Sequence, residues 1–278
     1  AIFMGVPGPD VPPPGTVQAC PQQESLSFKE WTPRVTLNWQ VRDSLMLYGN
    51  VARGFKPGGF NVNELIEFGE QGYRPEFVDA YEIGFKTRWQ PLQLSLDGAL
   101  FYNDYTDQQI GVQVNQTGAA GTIVAVPGIV NAGAVETQGL ELSADWFPHE
   151  RLNLNFGYTY TDATFKTYVQ GPSPTAGPGA FAACGVPEGQ TSSPQIRAEA
   201  GNACADFSGN RVPKNPKHAI NFGALYRAPL GRDGNSWFIE LDGMYRSKRY
   251  LSESNIAWMP SYTRFELRGG VDLGRFSV

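Results

Sequence analysis

Apolar and polar residues alternate with a period of two in segment after segment of this 278-residue chain, with hardly any helical period. That repeat is the signature of β-strands with two unlike faces. Val35, Leu37, Trp39 and Val41 interleave with Arg34, Thr36, Asn38 and Gln40. Tyr81, Ile83, Phe85, Thr87 and Trp89 interleave with Glu82, Gly84, Lys86 and Arg88, and the same holds around Leu92–Tyr102, Leu140–Trp146, Leu152–Tyr160, Trp237–Tyr245 and Phe265–Val271. The pattern predicts nine strands, over 32–41, 44–56, 77–90, 92–114, 130–147, 151–167, 215–229, 236–251 and 261–274. One face is apolar throughout and the other polar, often charged.

Such alternation fits a soluble sandwich, a propeller or a membrane barrel, and charge placement separates them. An Arg or Lys on a lipid-facing strand position costs about 2–4 kcal/mol at the bilayer midplane. Lys86, Arg88, Arg246, Arg264 and Arg268 all fall on the polar parity. No window approaches 18 consecutive apolar residues, which excludes a transmembrane helix but not a barrel, whose alternating strands keep the mean hydropathy low, here -0.32.

Connections carry the second signal. Short turns near Asp43, Pro91, His149-Glu150 and Gly231–Asp233 alternate strictly with long segments, about 57–76, 115–131, 167–214 and 252–260. Tight turns at one end and extended loops at the other are the habit of outer-membrane barrels. Four of the six tryptophans stand two or three residues from a short turn: Trp39 before Arg42-Asp43-Ser44, Trp89 before Pro91, Trp146 before Pro148 and Trp237 after Asp233-Gly234-Asn235. An amphipathic indole favours the level where hydrocarbon meets headgroups, so these four are expected to form part of an interfacial girdle. Trp31, Tyr105, Tyr168, Tyr250 and Trp258 are the candidates for the opposite ring. The fold class is therefore all-β, a fragment of an antiparallel transmembrane barrel, with residues 31–278 as barrel and residues 1–30 as a Pro/Gly-rich extracellular loop segment. Bacterial single-chain barrels use even strand numbers, and an open sheet of nine would leave two unsatisfied edges in lipid, so the sequence reads as part of a barrel. Ala1 opens the chain with neither a basic n-region nor an apolar h-region, which reads as a mature product or a fragment.

The net charge of -5 comes without any block of lysines and arginines, which gives a nucleic-acid partner no electrostatic footprint. Cys184 and Cys204 bracket a stretch rich in Pro, Gly and Ser, where a disulfide would staple a loop, and Cys20 has no evident partner. Three unpaired thiols are the alternative. His149 and His218 have no metal-ligand company, and the loop carboxylates, including Asp104 and Asp107, read as solvated groups. Neither a catalytic residue nor a cofactor is expected. Arg53, Lys56, Tyr73 and Arg74 lie where two loop bases meet and are the candidates for contacting an anionic chelate.

The run Tyr48-Gly49-Asn50-Val51-Ala52-Arg53-Gly54-Phe55-Lys56-Pro57-Gly58-Gly59-Phe60-Asn61 resembles the strand-to-loop segment of TonB-dependent outer-membrane receptors. Tyr81–Lys86, Asn103-Asp104-Tyr105 through Gln109, Asn131-Ala132-Gly133, Gln138–Leu142 and Pro216-Lys217-His218 follow in that family's order. The resemblance spans roughly residues 28–278. It implies a 22-stranded up-and-down barrel of which these nine would be strands twelve through twenty. It further implies localisation in the outer membrane of a Gram-negative bacterium, and uptake of a ferric siderophore or another bulky nutrient. Energy would reach the barrel from the TonB complex through a plug domain, and nothing in this sequence resembles that plug. A passive porin or structural barrel is the second reading. A soluble secreted β-propeller is the third, against which the turns are too unevenly spaced for blades of about 40–45 residues.

Overall fold

The computed structural model describes residues 26–60, 72–117, 123–131, 133–170, 205–231 and 234–273. Nine long strands form one antiparallel sheet. In chain order the elements are β1 (Arg34–Arg42), β2 (Leu45–Lys56), β3 (Gly59–Phe60), β4 (Gly72–Tyr73), β5 (Glu76–Trp89) and β6 (Leu94–Thr106). There follow β7 (Gln109–Thr117), β8 (Ile123–Asn131), β9 (Ala134–His149), β10 (Leu152–Thr167), β11 (Val169–Gln170) and β12 (Ala205–Asp206). The chain then runs through β13 (His218–Leu230), β14 (Asn235–Arg246), β15 (Arg249–Tyr250), β16 (Trp258–Met259) and β17 (Tyr262–Asp272).

The large sheet has the order β1-β2-β5-β6-β9-β10-β13-β14-β17, each strand beside its predecessor in an up-and-down meander. β3–β4, β7–β8, β11–β12 and β15–β16 are separate two-stranded ribbons, and every one of them lies in a long connection. At the opposite end the links are tight: Asp43-Ser44, a 3-10 turn over Gln90–Leu92 closed by left-handed Gln93, and Glu150-Arg151. Gly231 and Gly234 both take φ of 75° in the fourth.

The nine predicted strands all occur, displaced by a few residues at their ends, with one correction. The strand expected over 92–114 breaks after Thr106, and the connection expected over 115–131 is largely a β-hairpin, β7–β8. The break is local backbone geometry: Asp107 adopts φ of 54° and Gly133, across the pair, φ of 99°. A Cβ at position 133 would overlap the Thr167 carbonyl, so only glycine fits.

The sheet has no conventional core, because the outward face of a barrel wall is apolar and exposed. Val35, Leu37, Ile83, Leu100, Phe265 and Leu267 are all more than half exposed. Thr87, an outward polar side chain, is satisfied locally by donating to the Ser44 carbonyl at 2.8 Å. The inward parity is polar and cross-linked. Arg268 meets Asp242 at 3.0 Å and Glu240 at 3.2 Å, Arg246 donates to Asn221 at 3.0 Å, and Asn153 to Asp145 at 2.7 Å. β1 and β17 stand at the two ends of the sheet.

Candidate functional site

The end carrying the short turns is regular, and strand register fixes where its tryptophans lie. Trp39 is opposite Leu47 and Leu47 opposite Phe85, four residues short of Trp89. Trp89, Leu94 and Trp146 share a row. From Trp146 the row continues through Leu154 and Ala224 to Leu241, four residues beyond Trp237. The tryptophan line thus slips eight residues in seven strand-to-strand steps. With about 3.4 Å per residue and about 4.8 Å between strands, that slope equals a strand tilt of about 39°. Transmembrane barrels tilt their strands by about 35–45°, so a wall with that tilt carries all four indoles at one height.

Eight residues up from Trp89 lies Tyr81 on β5, and eight up from Trp237 lies Tyr245 on β14. At the same tilt the vertical separation is about 21 Å, close to the apolar band of about 25 Å expected of such barrels. Immediately above, the outward parity turns charged. Arg53 meets Asp79 at 3.6 Å, and Lys166 meets Asp104 at 3.2 Å and Glu136 at 3.7 Å. Tyr81 and Tyr102, in ring contact at 6.1 Å, therefore mark the upper edge of the apolar face. Two residues expected there are elsewhere. Tyr105 pairs with Val135 on the inward parity, and Tyr168 is 3% exposed. Both join Phe165, Ile110, Phe207 and Val212 in an apolar cluster above the belt. Burial, helped by the Glu253 charge, pushes the Tyr168 hydroxyl up to about 12.

The end with the long connections is built by particular side chains. Gln109 Nε2 donates to the carbonyls of Pro57 at 2.9 Å and Arg74 at 3.1 Å, while its backbone N–H donates to Glu76 at 2.9 Å. Asn131 accepts from the Arg74 N–H at 2.6 Å and returns bonds from Nδ2 to the Arg74 carbonyl at 2.9 Å and the Asp107 carbonyl at 2.8 Å. A second knot ties the β12–β13 and β15–β16 connections. Asn255 accepts from the Arg211 N–H at 2.8 Å and donates to its carbonyl at 2.9 Å, and Asn210 donates to the Glu253 carbonyl at 2.8 Å. Lys217 reaches Asp162 at 3.0 Å, and the His218 ring stacks on Tyr158, 3.0 Å from its hydroxyl.

The four candidate ligand contacts do not converge as a group. Arg53 follows Val51 on the outward parity, pairs with Asp79 and lies over the Phe77 ring at 4.9 Å. Lys56 ends β2 on the inward parity, exposed. Arg74 binds Asp107 at 2.8 Å. The Tyr73 ring lies against Gly59, and a Cβ on Gly58 would strike the Tyr73 carbonyl, so Gly58 and Gly59 serve close approach of two chain segments. Cys20, Cys184 and Cys204 lie outside the described residues. Among the described residues no group of three or more His, Cys, Asp or Glu is placed to hold a metal ion. Gln109 and Asn131 belong to the quoted motifs, but nothing in the sequence assigns them this role.

A tilted meander with tight turns at one end and knotted loops at the other is the architecture of a large outer-membrane barrel. The β-barrel model of TonB-dependent receptor-like proteins matches residues 8–278. The chain belongs to that family. It is 24% identical over 243 residues to a probable TonB-dependent siderophore receptor, PiuA, of Acinetobacter baumannii, covering 84% of this chain and 27% of the relative. It is 27% identical over 113 residues to the pesticin receptor of Yersinia pestis, covering 41% of this chain and 15% of that protein. Among solved structures, the ferric yersiniabactin uptake receptor FyuA from Yersinia pestis superposes with a TM-score of 0.60 at 17% identity, over 85% of this chain and 29% of that one. The PiuA structure gives 0.58 at 20% identity, over 87% and 29%. The chain thus spans under a third of these relatives' length. TonB-dependent receptor barrels are outer-membrane receptors and transporters, not enzymes.

Proposed function

We propose that this TonB-dependent receptor barrel segment belongs to an outer-membrane importer of a ferric siderophore or a similarly bulky nutrient, energised through the TonB complex of a Gram-negative cell. The observation that carries the reading is the asymmetry between the two ends. Short turns beside the tryptophans suit the periplasmic side, while long connections fastened by side-chain amides suit a surface that holds a solute. Relatives named as siderophore and ferric-chelate receptors support the ligand class. In this reading Trp39, Trp89, Trp146 and Trp237 form an arc of the periplasmic girdle and the lipid bilayer covers the apolar face. Lys56 and Tyr73, at the mouth, contact the anionic chelate, with Arg74 holding their loop. Arg53 sits on the outer side at headgroup level and contributes the least to the ligand. A disulfide between Cys184 and Cys204 closes the longest connection.

The test is uptake of radiolabelled ferric chelates by iron-starved cells making the full-length protein, with and without a functional TonB. Accumulation that requires both supports the proposal. Uptake indifferent to TonB identifies a passive pore, and a protein that stays soluble and monomeric without detergent identifies neither.

A further inference from the structure

The Asn131 side chain relates to Arg74 as a β-strand residue relates to its partner. Its Oδ1 accepts the Arg74 N–H and its Nδ2 returns a bond to the Arg74 carbonyl, so one primary amide stands in for the peptide group of a missing ladder rung. The remaining Nδ2 hydrogen binds the Asp107 carbonyl, at the left-handed residue where β6 gives way to the β7–β8 arm. Gln109, at the other base of the arm, repeats the device on the far side of the same loop. Its Nε2 touches the Pro57 and Arg74 carbonyls, and Lys56 lies at 3.4 Å. Both residues of the β2–β5 connection that frame Gly58 to Tyr73 are thereby bonded to the arm. Among the described residues the arm pairs strand to strand only within itself, and β5 meets β6 no further than Thr106.

We infer that Gln109 and Asn131 are positioning residues that fasten the two bases of the β2–β5 connection, at Pro57 and Arg74, to the base of the β7–β8 arm, beside the left-handed Asp107 and Gly133. A solute that displaces one of these bases then displaces the other. The grip is on backbone atoms of Arg74, so it is independent of the Arg74–Asp107 ion pair beside it. The inference rests on the capture-surface reading for its consequence, but its test involves no ligand, so each fails separately.

Native-state hydrogen exchange of the full-length protein in lipid nanodiscs reads the joint directly, because segments that open together share one dependence on denaturant. Amides of 72–76, 109–111 and 129–131 are expected to follow a common curve in the wild-type protein. Asn131→Leu, close in size and without hydrogen bonds, is expected to speed exchange at 72–76 about tenfold and split it from the arm, since it removes two bonds from Arg74. Gln109→Met tests the same joint at 56–58 should Asn131→Leu fail to assemble, and Arg74→Gln is expected to preserve the common curve. Separate curves in the wild type, an unchanged 72–76 in Asn131→Leu, or a split in Arg74→Gln equal to that in Asn131→Leu would each overturn the inference.

Discussion

The wall between the tryptophan and tyrosine levels and the rim above it are held together by different means. In the wall, β5, β6 and β9 pair residue for residue over twelve or more positions, and backbone hydrogen bonds carry the ladder whatever the side chains. In the rim, two-residue ribbons are too short to persist alone, and single amides from Asn131, Gln109, Asn255 and Asn210 bridge chain segments up to 57 residues apart. The wall is therefore sensitive to which face a side chain occupies and tolerant of its identity. The rim reverses this. The overall fold matches the FyuA structure at 17% identity.

Neighbouring substitutions of opposite parity are the strongest way to break that contrast. Leu142→Arg puts a cation on the outward face between Trp146 and Gln138 and is expected to destabilise the full-length protein in lipid vesicles by about 2–4 kcal/mol. Ser143→Arg, one residue on and inward, should stay within about 0.5 kcal/mol in the same denaturant titration. Equal losses would mean that this face does not meet lipid. In the rim, Gly133→Ala should cost about 1–3 kcal/mol through its positive φ and the Thr167 carbonyl, seen as early proteolytic nicking at 107–109 with the wall intact. Losing the Lys56 and Tyr73 side chains together should weaken chelate binding about tenfold, a sum of two contacts of ordinary strength, while Arg53→Ala should change it less than twofold. A small effect is also expected of Lys166→Met. Its ion pairs with Asp104 and Glu136 are half exposed, so stability should fall by about 0.2–1 kcal/mol at low salt and by less at high salt.

Period two made the wall legible in the sequence, because one face of every strand meets an unlike medium and a one-residue slip would invert it. The same count would have put Arg53 outward, two residues beyond Val51, and Tyr105 inward. Composition and nearness to a loop point the other way for both. The β7–β8 arm escaped for a different reason. Its departure from β6 depends on Asp107 facing Gly133 across a pairing 26 residues apart, and no local propensity announces a left-handed aspartate. Gln109 and Asn131 have the composition of any polar loop, and their role exists only once Pro57 and Arg74 have been brought beside them.

The depth of the four tryptophans tests the central claim most directly. In single-tryptophan versions of the full-length protein, quenching by lipids brominated at stepped acyl positions should place Trp39, Trp89, Trp146 and Trp237 at one interfacial depth, within a few ångströms. Strands standing upright would instead spread them by about 27 Å, the length of the eight-residue register slip. A common depth is what a tilted barrel wall requires; depths that step with register, or indoles insensitive to every brominated lipid, would contradict it.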